Sequence, residues 1–330
     1  MLCATIGGAL SSCNEYDFNQ EQYRTDISLL SSSNLVYNRQ VADLEQEKDT
    51  IYLVATVSGS QPSTSAMTVG LLESDSLLKA YNKSNFDIDK DKFARLLPRE
   101  CYEFPTMEME IPAGASKAMF PVYLKNLEKI SPDSLYFLDY KIDSLKTPNF
   151  NPKKRHVLLQ IYKQNYYSTT QTTTNYNYTS STIIIPNASG TPEVRRPTSA
   201  NRVFPIGANS VRMMAGDEDL GDYKSALGRI NTKSIILEMG EQLPENPEAR
   251  ELTIKPYTVK GATPVDVIQL TPIGEYDNTF VLNIIKTPDG RATYYKEFRL
   301  HYKYRLSPNV PYREVNAKMR LEYNPRIENL

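Results

Sequence analysis

The chain has 330 residues, with 38 Lys and Arg against 39 Asp and Glu, so its formal net charge is −1. The chain therefore lacks the excess of basic residues that is typical of nucleic-acid-binding proteins. Two histidines and three cysteines leave little material for zinc sites or Cys/His catalysis. At about 100–200 residues per domain the length predicts two domains, and 23 tyrosines with 21 prolines favour short strands and turns over long helices. No apolar run approaches the roughly 20 residues of a membrane-spanning helix.

The N-terminus is small and apolar as far as Cys13 and then turns abruptly polar. Residues 10–13 (LSSC) resemble a bacterial lipobox, in which a small residue precedes the cysteine that is lipidated after signal cleavage. A positive n-region is missing and the apolar stretch is short. We therefore interpret residues 1–12 as a signal-peptide remnant, Cys13 as the lipidation site and residues 13–32 as a lipid-anchored tether. The alternative is an ordinary cysteine near the terminus.

Residues 33–163 carry short β-type segments separated by turns. Strands are predicted over 51–58, 68–73, 107–111, 117–124, 135–142 and 156–163. A short helix over 77–82 has Asp75 or Ser76 as its predicted cap. Regular spacing of this kind is typical of an antiparallel sandwich.

Residues 164–198 are low in charge and rich in Tyr, Thr and Asn. They are predicted to be a long exposed hairpin or an interdomain linker. Glycan binding uses an aromatic face against sugar C–H groups, and in a chain without Trp that role falls to Tyr. The candidate ligand-binding residues are Tyr166, Tyr167, Tyr176 and Tyr178. The alternative is that these rings fold back and seal the junction between the domains.

Residues 199–330 repeat the β pattern. A hairpin is predicted from 279–286 through the turn 287–290 into 292–306, because Pro presets the turn and Gly takes its left-handed position. The second strand alternates, with Phe298, Leu300, Tyr302 and Tyr304 on one face. With a last strand over 313–323, this part is predicted to be an antiparallel β-sandwich or a small barrel.

Three motifs in the first domain agree in order with a known family: LLKAYN at 77–82, LLPRECY at 96–102 and EIPAG at 110–114. They resemble a Bacteroidetes domain of unknown function that occurs in surface lipoproteins of glycan-utilisation loci and ahead of family 18 glycosidase domains. The resemblance covers residues 33–163, and residues 199–330 are similar to the companion β domain. It implies an all-β fold, with an N-terminal immunoglobulin-like β-sandwich followed by the second β domain, and a non-catalytic role at the cell surface.

The sequence contains none of the common catalytic motifs, including DxxDxDxE, GxSxG, HExxH and the P-loop. His156 and His301 are expected on solvated strand faces, and Cys101 as a small buried hydrophobe. Residues 87–98 begin like a calcium loop but lack its Gly and Glu, and residues 214–222 are expected to form an acidic surface loop. We expect no enzyme activity, no cofactor and no metal.

Four triplets of Asp, then Ser or Thr, then an apolar residue match a Bacteroidetes O-glycosylation pattern. The candidate acceptors are Thr50, Ser76, Ser134 and Ser144. Such triplets are also good helix caps and strand starts, which is the alternative explanation.

The function predicted from the sequence is that of an outer-membrane surface lipoprotein, an accessory glycan-binding component of a polysaccharide-utilisation system. Its expected partners are a polysaccharide or oligosaccharide, the membrane through the lipid anchor, and outer-membrane uptake proteins. Nucleic acid is not among them. The alternatives are an adhesive or structural surface protein that binds a protein partner, and a hydrolase with an unrecognised site.

Overall fold

The computed structural model describes residues 25–59, 61–221, 223–286 and 288–328, so the predicted lipidation site Cys13 lies outside the described residues. The chain forms two all-β domains. The first contains β1 (Ile27–Leu29), β2 (Val36–Asp43), β3 (Asp49–Val57), β4 (Met67–Glu73), β5 (Arg95–Leu96), β6 (Tyr102–Glu103), β7 (Glu108–Ile111), β8 (Lys117–Leu124), β9 (Tyr136–Ile142), β10 (His156–Asn165) and β11 (Ser168–Thr169).

The N-terminal domain is a two-sheet β-sandwich, as the sequence predicts. One sheet has the order β1-β3-β8-β6 and the other β11-β10-β9-β4-β7, with β2 parallel to β10 and β5 parallel to β9. Leu53, Phe120 and Val122 from the first sheet pack against Tyr140 and Leu159 from the second. Cys101 belongs to the same core and is fully buried, which confirms that prediction.

The C-terminal domain is built on a single eleven-stranded sheet in the order β13-β12-β22-β21-β20-β18-β17-β16-β15, with β14 beside β12 and β19 beside β21. Within the described residues its edge strands β13 and β15 do not pair with each other, so the sheet is not closed into a barrel. Its strands are β12 (Asn175–Ile185), β13 (Glu193–Arg195), β14 (Asn201–Arg202), β15 (Phe204–Gly207), β16 (Ser210–Met214), β17 (Ser234–Leu243), β18 (Asn246–Pro256), β19 (Asp266–Gln269), β20 (Thr279–Lys286), β21 (Ala292–Arg305) and β22 (Arg313–Tyr323).

The alternation predicted for β21 is confirmed. Phe298, Leu300, Tyr302 and Tyr304 are each 0% exposed and form the centre of the second core. The expectation of a solvated histidine on the opposite face is wrong for His301. That ring is buried between the carbonyl oxygen of Thr271 and the Glu314 carboxylate, because the loop that precedes β20 folds over it.

The described part of the chain also contains the helices α1 (Ser76–Phe86), α2 (Tyr223–Lys233) and α3 (Pro325–Glu328). The sequence predicts α1 but not its cap. Asp75 makes no capping hydrogen bond. The Oδ2 atom of Asp139, on β9, accepts from the backbone N–H groups of Leu77 and Leu78 at 3.0 Å each. Asp139 is 3% exposed, and this burial raises its pKa.

The segment 164–198 forms an exposed hairpin only in part, where residues 183–185 pair antiparallel with residues 193–195 and residues 186–192 between them are exposed. Asn175–Ile185 is strand β12, which pairs with β22 along most of its length. Tyr176 and Ile183 on this strand are fully buried in the second core. The low charge of the segment therefore reflects a strand that is half covered by its own domain.

No helix among the described residues is long and apolar enough to cross a membrane.

Candidate ligand-binding groove at the domain junction

The turn between β10 and β11 links the two domains through hydrogen bonds. Asn165 ends β10 and is 8% exposed. Its Nδ2 atom donates to the carbonyl oxygens of Gly207 and Ser210 in the second domain, at 2.7 and 3.0 Å. Its Oδ1 atom accepts from the backbone N–H groups of Tyr167 and Ser168, both at 3.0 Å. One amide therefore holds the turn and ties it to the neighbouring domain.

A buried ion pair joins the domains beside this turn. Both terminal guanidinium nitrogens of Arg212, on β16, donate to the Asp133 carboxylate, with Nη2 to Oδ1 at 2.7 Å. The Arg212 side chain is 1% exposed and lies over the rings of Phe204 and Tyr257, at 4.5 and 5.3 Å from their centroids. No local pattern in the sequence predicts this contact, since the two partners are 79 positions apart.

Lys163 lies beneath the same junction and is 2% exposed. Its Nζ atom donates to the carbonyl oxygens of Leu127 and Ile130, at 3.1 and 2.7 Å. Burial of the ammonium lowers the pKa of Lys163 to about 8. The buried ammonium is therefore satisfied by two carbonyl oxygens at the base of the junction, and the groove lies beside it.

That space is a groove of about 480 Å³ between the domains. Asp43 and Glu45 of the first domain line one wall, and Lys296 and Leu321 of the second line the other. Tyr166 stands between them and also lines a second cavity of about 210 Å³, with Gln242, Glu248, Arg250 and Leu282. Carboxylate, amide, guanidinium and aromatic groups thus converge around one tyrosine.

Tyr166 is held in this position by several contacts, and the residue remains 38% exposed. Its backbone N–H donates to Glu45 Oε1 at 2.9 Å, and its carbonyl oxygen accepts from Lys296. The Lys296 Nζ atom lies 4.0 Å from the centroid of the ring. The rings of Tyr167 and Phe280 contact it edge-to-face at centroid distances of 5.4 and 6.2 Å. A fixed, partly exposed aromatic ring of this kind costs little entropy when it meets a ligand.

The other three predicted tyrosines do not share this exposure. Tyr167 and Tyr176 are 2% and 0% exposed, so their proposed use as ligand-stacking rings is wrong. Tyr176 packs on Phe298 with ring centroids 4.7 Å apart, and burial raises the pKa of Tyr167 to about 12. Tyr178 is half-buried and accepts from Asn201 Nδ2 at 3.0 Å while donating to a backbone carbonyl. Tyr166 and Tyr167 both line the groove, but of the two it is Tyr166 that is substantially exposed there.

The four candidate glycosylation acceptors all lie in the first domain. Ser76 and Ser144 are exposed, whereas Thr50 and Ser134 are half-buried. Ser76 is the first residue of α1, which agrees with the alternative explanation that its triplet marks the start of a helix. The structure brings none of them into the groove.

The acidic loop expected over 214–222 is anchored rather than free. Glu218 accepts from Arg313 at 2.8 Å and pairs with Lys233, and its side chain is 10% exposed. Asp217 and Asp219 line a small cavity of about 170 Å³ beside Tyr178. Among the residues that the structure describes, no group of His, Cys, Asp and Glu could hold a metal ion.

Sequence reasoning missed the two residues that frame Tyr166. Glu45 and Lys296 lie 121 and 130 positions from Tyr166 along the chain. The only local signal for Lys296 was its place after a Tyr-Tyr pair on a strongly alternating strand. The contacts arise because the β10–β11 turn inserts between the domains.

Two family models match the chain. One, described as an N-terminal domain, matches residues 19–149, and the other, described as C-terminal, matches residues 155–320. The fold and these matches define a two-domain, all-β protein. The chain belongs to this Bacteroidetes two-domain family of unknown function. No curated protein matches it.

Solved structures show the same architecture. A Bacteroides ovatus protein of unknown function is 17% identical, with a TM-score of 0.62 over 91% of this chain and 95% of that chain. A B. ovatus multidomain protein including DUF1735 is 17% identical, with a TM-score of 0.58 over 90% and 94%. A Bacteroides thetaiotaomicron protein described as an auxiliary nutrient binding protein is 14% identical, with a TM-score of 0.58 over 89% and 94%. Likeness at these identities shows the fold alone.

Proposed function

We propose that the protein is a non-catalytic, surface-associated accessory protein that binds extracellular glycan for a polysaccharide-utilisation system. The observation that carries this proposal is the groove at the domain junction, where the partly exposed Tyr166 is surrounded by side chains that donate and accept hydrogen bonds. Sugars present apolar C–H faces and a rim of hydroxyl groups. A tyrosine ring flanked by Glu45, Gln242 and Arg250 matches both features.

The family context supports the same proposal. One structural neighbour of similar length is described as an auxiliary nutrient binding protein. The proposed assembly holds the folded domains at the outer membrane through lipid on Cys13, with the polar segment after it as a tether. Metabolic labelling with a fatty acid tests this anchor. Label on the wild type and none on Cys13→Ala is the expected result, and equal labelling of both would overturn it.

The glycan-binding test is a panel of soluble polysaccharides probed by affinity electrophoresis, with reducing ends assayed in the same samples. The expected result is retardation by at least one polysaccharide without release of reducing ends. Tyr166→Ala is expected to lower the affinity about tenfold, because it removes the ring from the groove. Tyr52→Ala is a matched control, since Tyr52 is also 38% exposed but lies on β3 of the first domain, outside the groove residues.

Equal losses in the two variants would show that the groove is not the site. Retardation by no polysaccharide in the panel would refute the proposed function. Release of reducing ends that survives removal of contaminating enzymes would favour the hydrolase alternative instead.

A further inference from the structure

Part of the C-terminal sheet extends beyond its neighbouring strands. The ladder between β18 and β20 stops at Val281, and the ladder between β12 and β22 stops at Arg320. The pairing of β20, β21 and β22 continues past both points. The resulting three-stranded extension, which we call the tongue, consists of residues 282–286, 292–296 and 321–323.

The face of the tongue that looks onto the groove follows from the strand register. Residues opposite each other across a ladder share a face, as do residues two positions apart along a strand. The innermost row on this face is Phe280, Phe298 and Met319, which are 2%, 0% and 0% exposed. The same face of the core therefore continues outward into the tongue.

The next row outward lines the cavities around Tyr166. It consists of Leu282, Lys296 and Leu321, one from each strand. Lys296 and Leu321 line the groove, and Leu282 lines the smaller cavity. The residues of this row therefore lie between the buried core and the open groove.

The outermost row lies beyond the groove and is aromatic and apolar. It consists of Ile284, Tyr294 and Tyr323. Ile284 is 43% exposed and both tyrosines are half-buried, with ring centroids 6.1 Å apart. Lys296 Nζ lies 4.0 Å from the Tyr166 centroid and 5.4 Å from the Tyr323 centroid, so it bridges the groove tyrosine and the outer row.

Carboxylates outnumber cations among the residues that line the two cavities. Carboxylates of Asp43, Glu45 and Glu248 line the two cavities, together with the cations Lys296 and Arg250. Lys296 is 4% exposed and already donates to a backbone carbonyl, so it offers little to an incoming anion. A uronate or sulfate chain would meet these three carboxylates with Arg250, whose guanidinium donates to the carbonyl oxygen of Gly240, as the cation left to offset them.

We propose that the groove and the outer row of the tongue form one continuous platform for an extended stretch of a neutral polysaccharide, with several sugar units bound in line from Tyr166 to Tyr294. This inference rests on the proposed function and names its ligand class: a linear, uncharged chain recognised along its length rather than a monosaccharide or a chain end. The tyrosines contact the sugar faces, and the polar groups of the groove bind hydroxyls at one end of the platform.

The test compares two variants of the outer row with a neighbour on the opposite face. Tyr294→Ala and Tyr323→Ala each remove a ring from the platform, and the two positions lie on different strands. Tyr295→Ala is the matched control, because Tyr295 is also half-buried but faces away from the groove, where Arg320 lies over its ring. Thermal melts establish that all three variants are folded.

The probes are soluble α-glucan, mixed-linkage β-glucan, xylan and galactomannan, with polygalacturonate as the anionic comparison. A neutral polysaccharide is expected to bind the wild type. Its affinity is expected to fall about fivefold in Tyr294→Ala and Tyr323→Ala and to stay within about twofold in Tyr295→Ala. Among oligosaccharides cut from the same polysaccharide, only the longer ones are expected to be affected by Tyr294→Ala, whereas Tyr166→Ala weakens short and long ones alike.

The possible failures can be told apart. If Tyr166→Ala abolishes binding while both outer-row variants bind normally, the platform is refuted and the proposed function stands. Stronger binding of polygalacturonate refutes the neutral-chain assignment. If the wild type self-associates and the outer-row variants do not, the tongue is a contact between copies of this chain and the inference is overturned. Binding of no probe refutes both proposals.

Discussion

Replacing Arg212 by methionine is the most direct test of how the two domains are held together. Arg212 is 1% exposed and is the bidentate partner of Asp133 across the junction. Methionine has a similar length and keeps an apolar contact with the rings of Phe204 and Tyr257. The change therefore removes the charge and its hydrogen bonds with little loss of packing.

The size of the effect follows from burial. Removing one partner of a buried ion pair costs about 3–5 kcal/mol, because the other charge is left without compensation. The Asp133 side chain is 10% exposed and retains a contact with the Ser131 hydroxyl at 3.3 Å, so some solvation remains. We expect the lower end of the range, about 3 kcal/mol, which is a large part of the 5–15 kcal/mol typical of folded proteins.

Urea denaturation followed by tyrosine fluorescence measures this loss, since the chain has no Trp. The double variant Arg212→Met/Asp133→Leu removes both charges and is expected to recover most of the stability. Lys255→Ala is the surface control, because its pair with Glu238 is about half exposed and is worth at most about 1 kcal/mol. The reasoning fails if Arg212→Met costs no more than Lys255→Ala, or if the double variant is as unstable as the single one.

Three further changes test individual contacts. Burial holds the pKa of Lys163 at about 8, so the unfolded chain binds more protons than the folded chain between pH 8 and about 10. Over that interval the free energy of unfolding, measured in urea, is expected to rise by about 2 kcal/mol more in wild type than in Lys163→Met, and parallel curves would contradict this. Asp139→Ala leaves two N–H groups of α1 without an acceptor and is expected to cost about 1–3 kcal/mol in thermal melts, whereas Asp75→Ala is nearly neutral. Gly216→Ala places a Cβ 2.7 Å from the Tyr304 ring and is expected to cost about 2–4 kcal/mol, against about 1 kcal/mol for Gly114→Ala, where nothing lies within 4 Å; equal melting temperatures would refute this.

The regular parts of the fold were predictable because their pattern is local. The last strand was predicted over 313–323 and is Arg313–Tyr323, and the β20–β21 hairpin was identified from its turn residues and alternation. Helix α2 was missed, since Gly, Asn and Thr give residues 223–233 a weak helical signal. The helix forms where Ile230, which is 4% exposed, packs into the second domain.

The candidate site was predictable only in part. The predicted tyrosines include Tyr166 of the groove, whereas the ring of Tyr167 packs on Phe280 of the second domain at a centroid distance of 4.8 Å and Tyr167 is 2% exposed. The spacing of the tyrosines in the sequence could not predict that Tyr166 is exposed and Tyr167 is buried. Residues on a short turn do not follow the regular alternation of buried and exposed positions that strands and helices show. The outer row of the tongue could not be predicted as an exposed surface for a different reason. Its residues alternate along the strands in the same way as those of a core strand.

The sequence by itself determined two all-β domains, most of their strands, the buried face of β21 and the absence of the common catalytic motifs. These properties depend on side-chain period, turn chemistry and residue type, all of which are local. The tertiary structure alone decided that Asp139 caps α1, that Arg212 meets Asp133, and that Tyr166 stays exposed while Tyr176 does not. Each of these depends on which distant segment covers a residue or supplies its partner, and that is fixed only when the sheets pack and the domains dock.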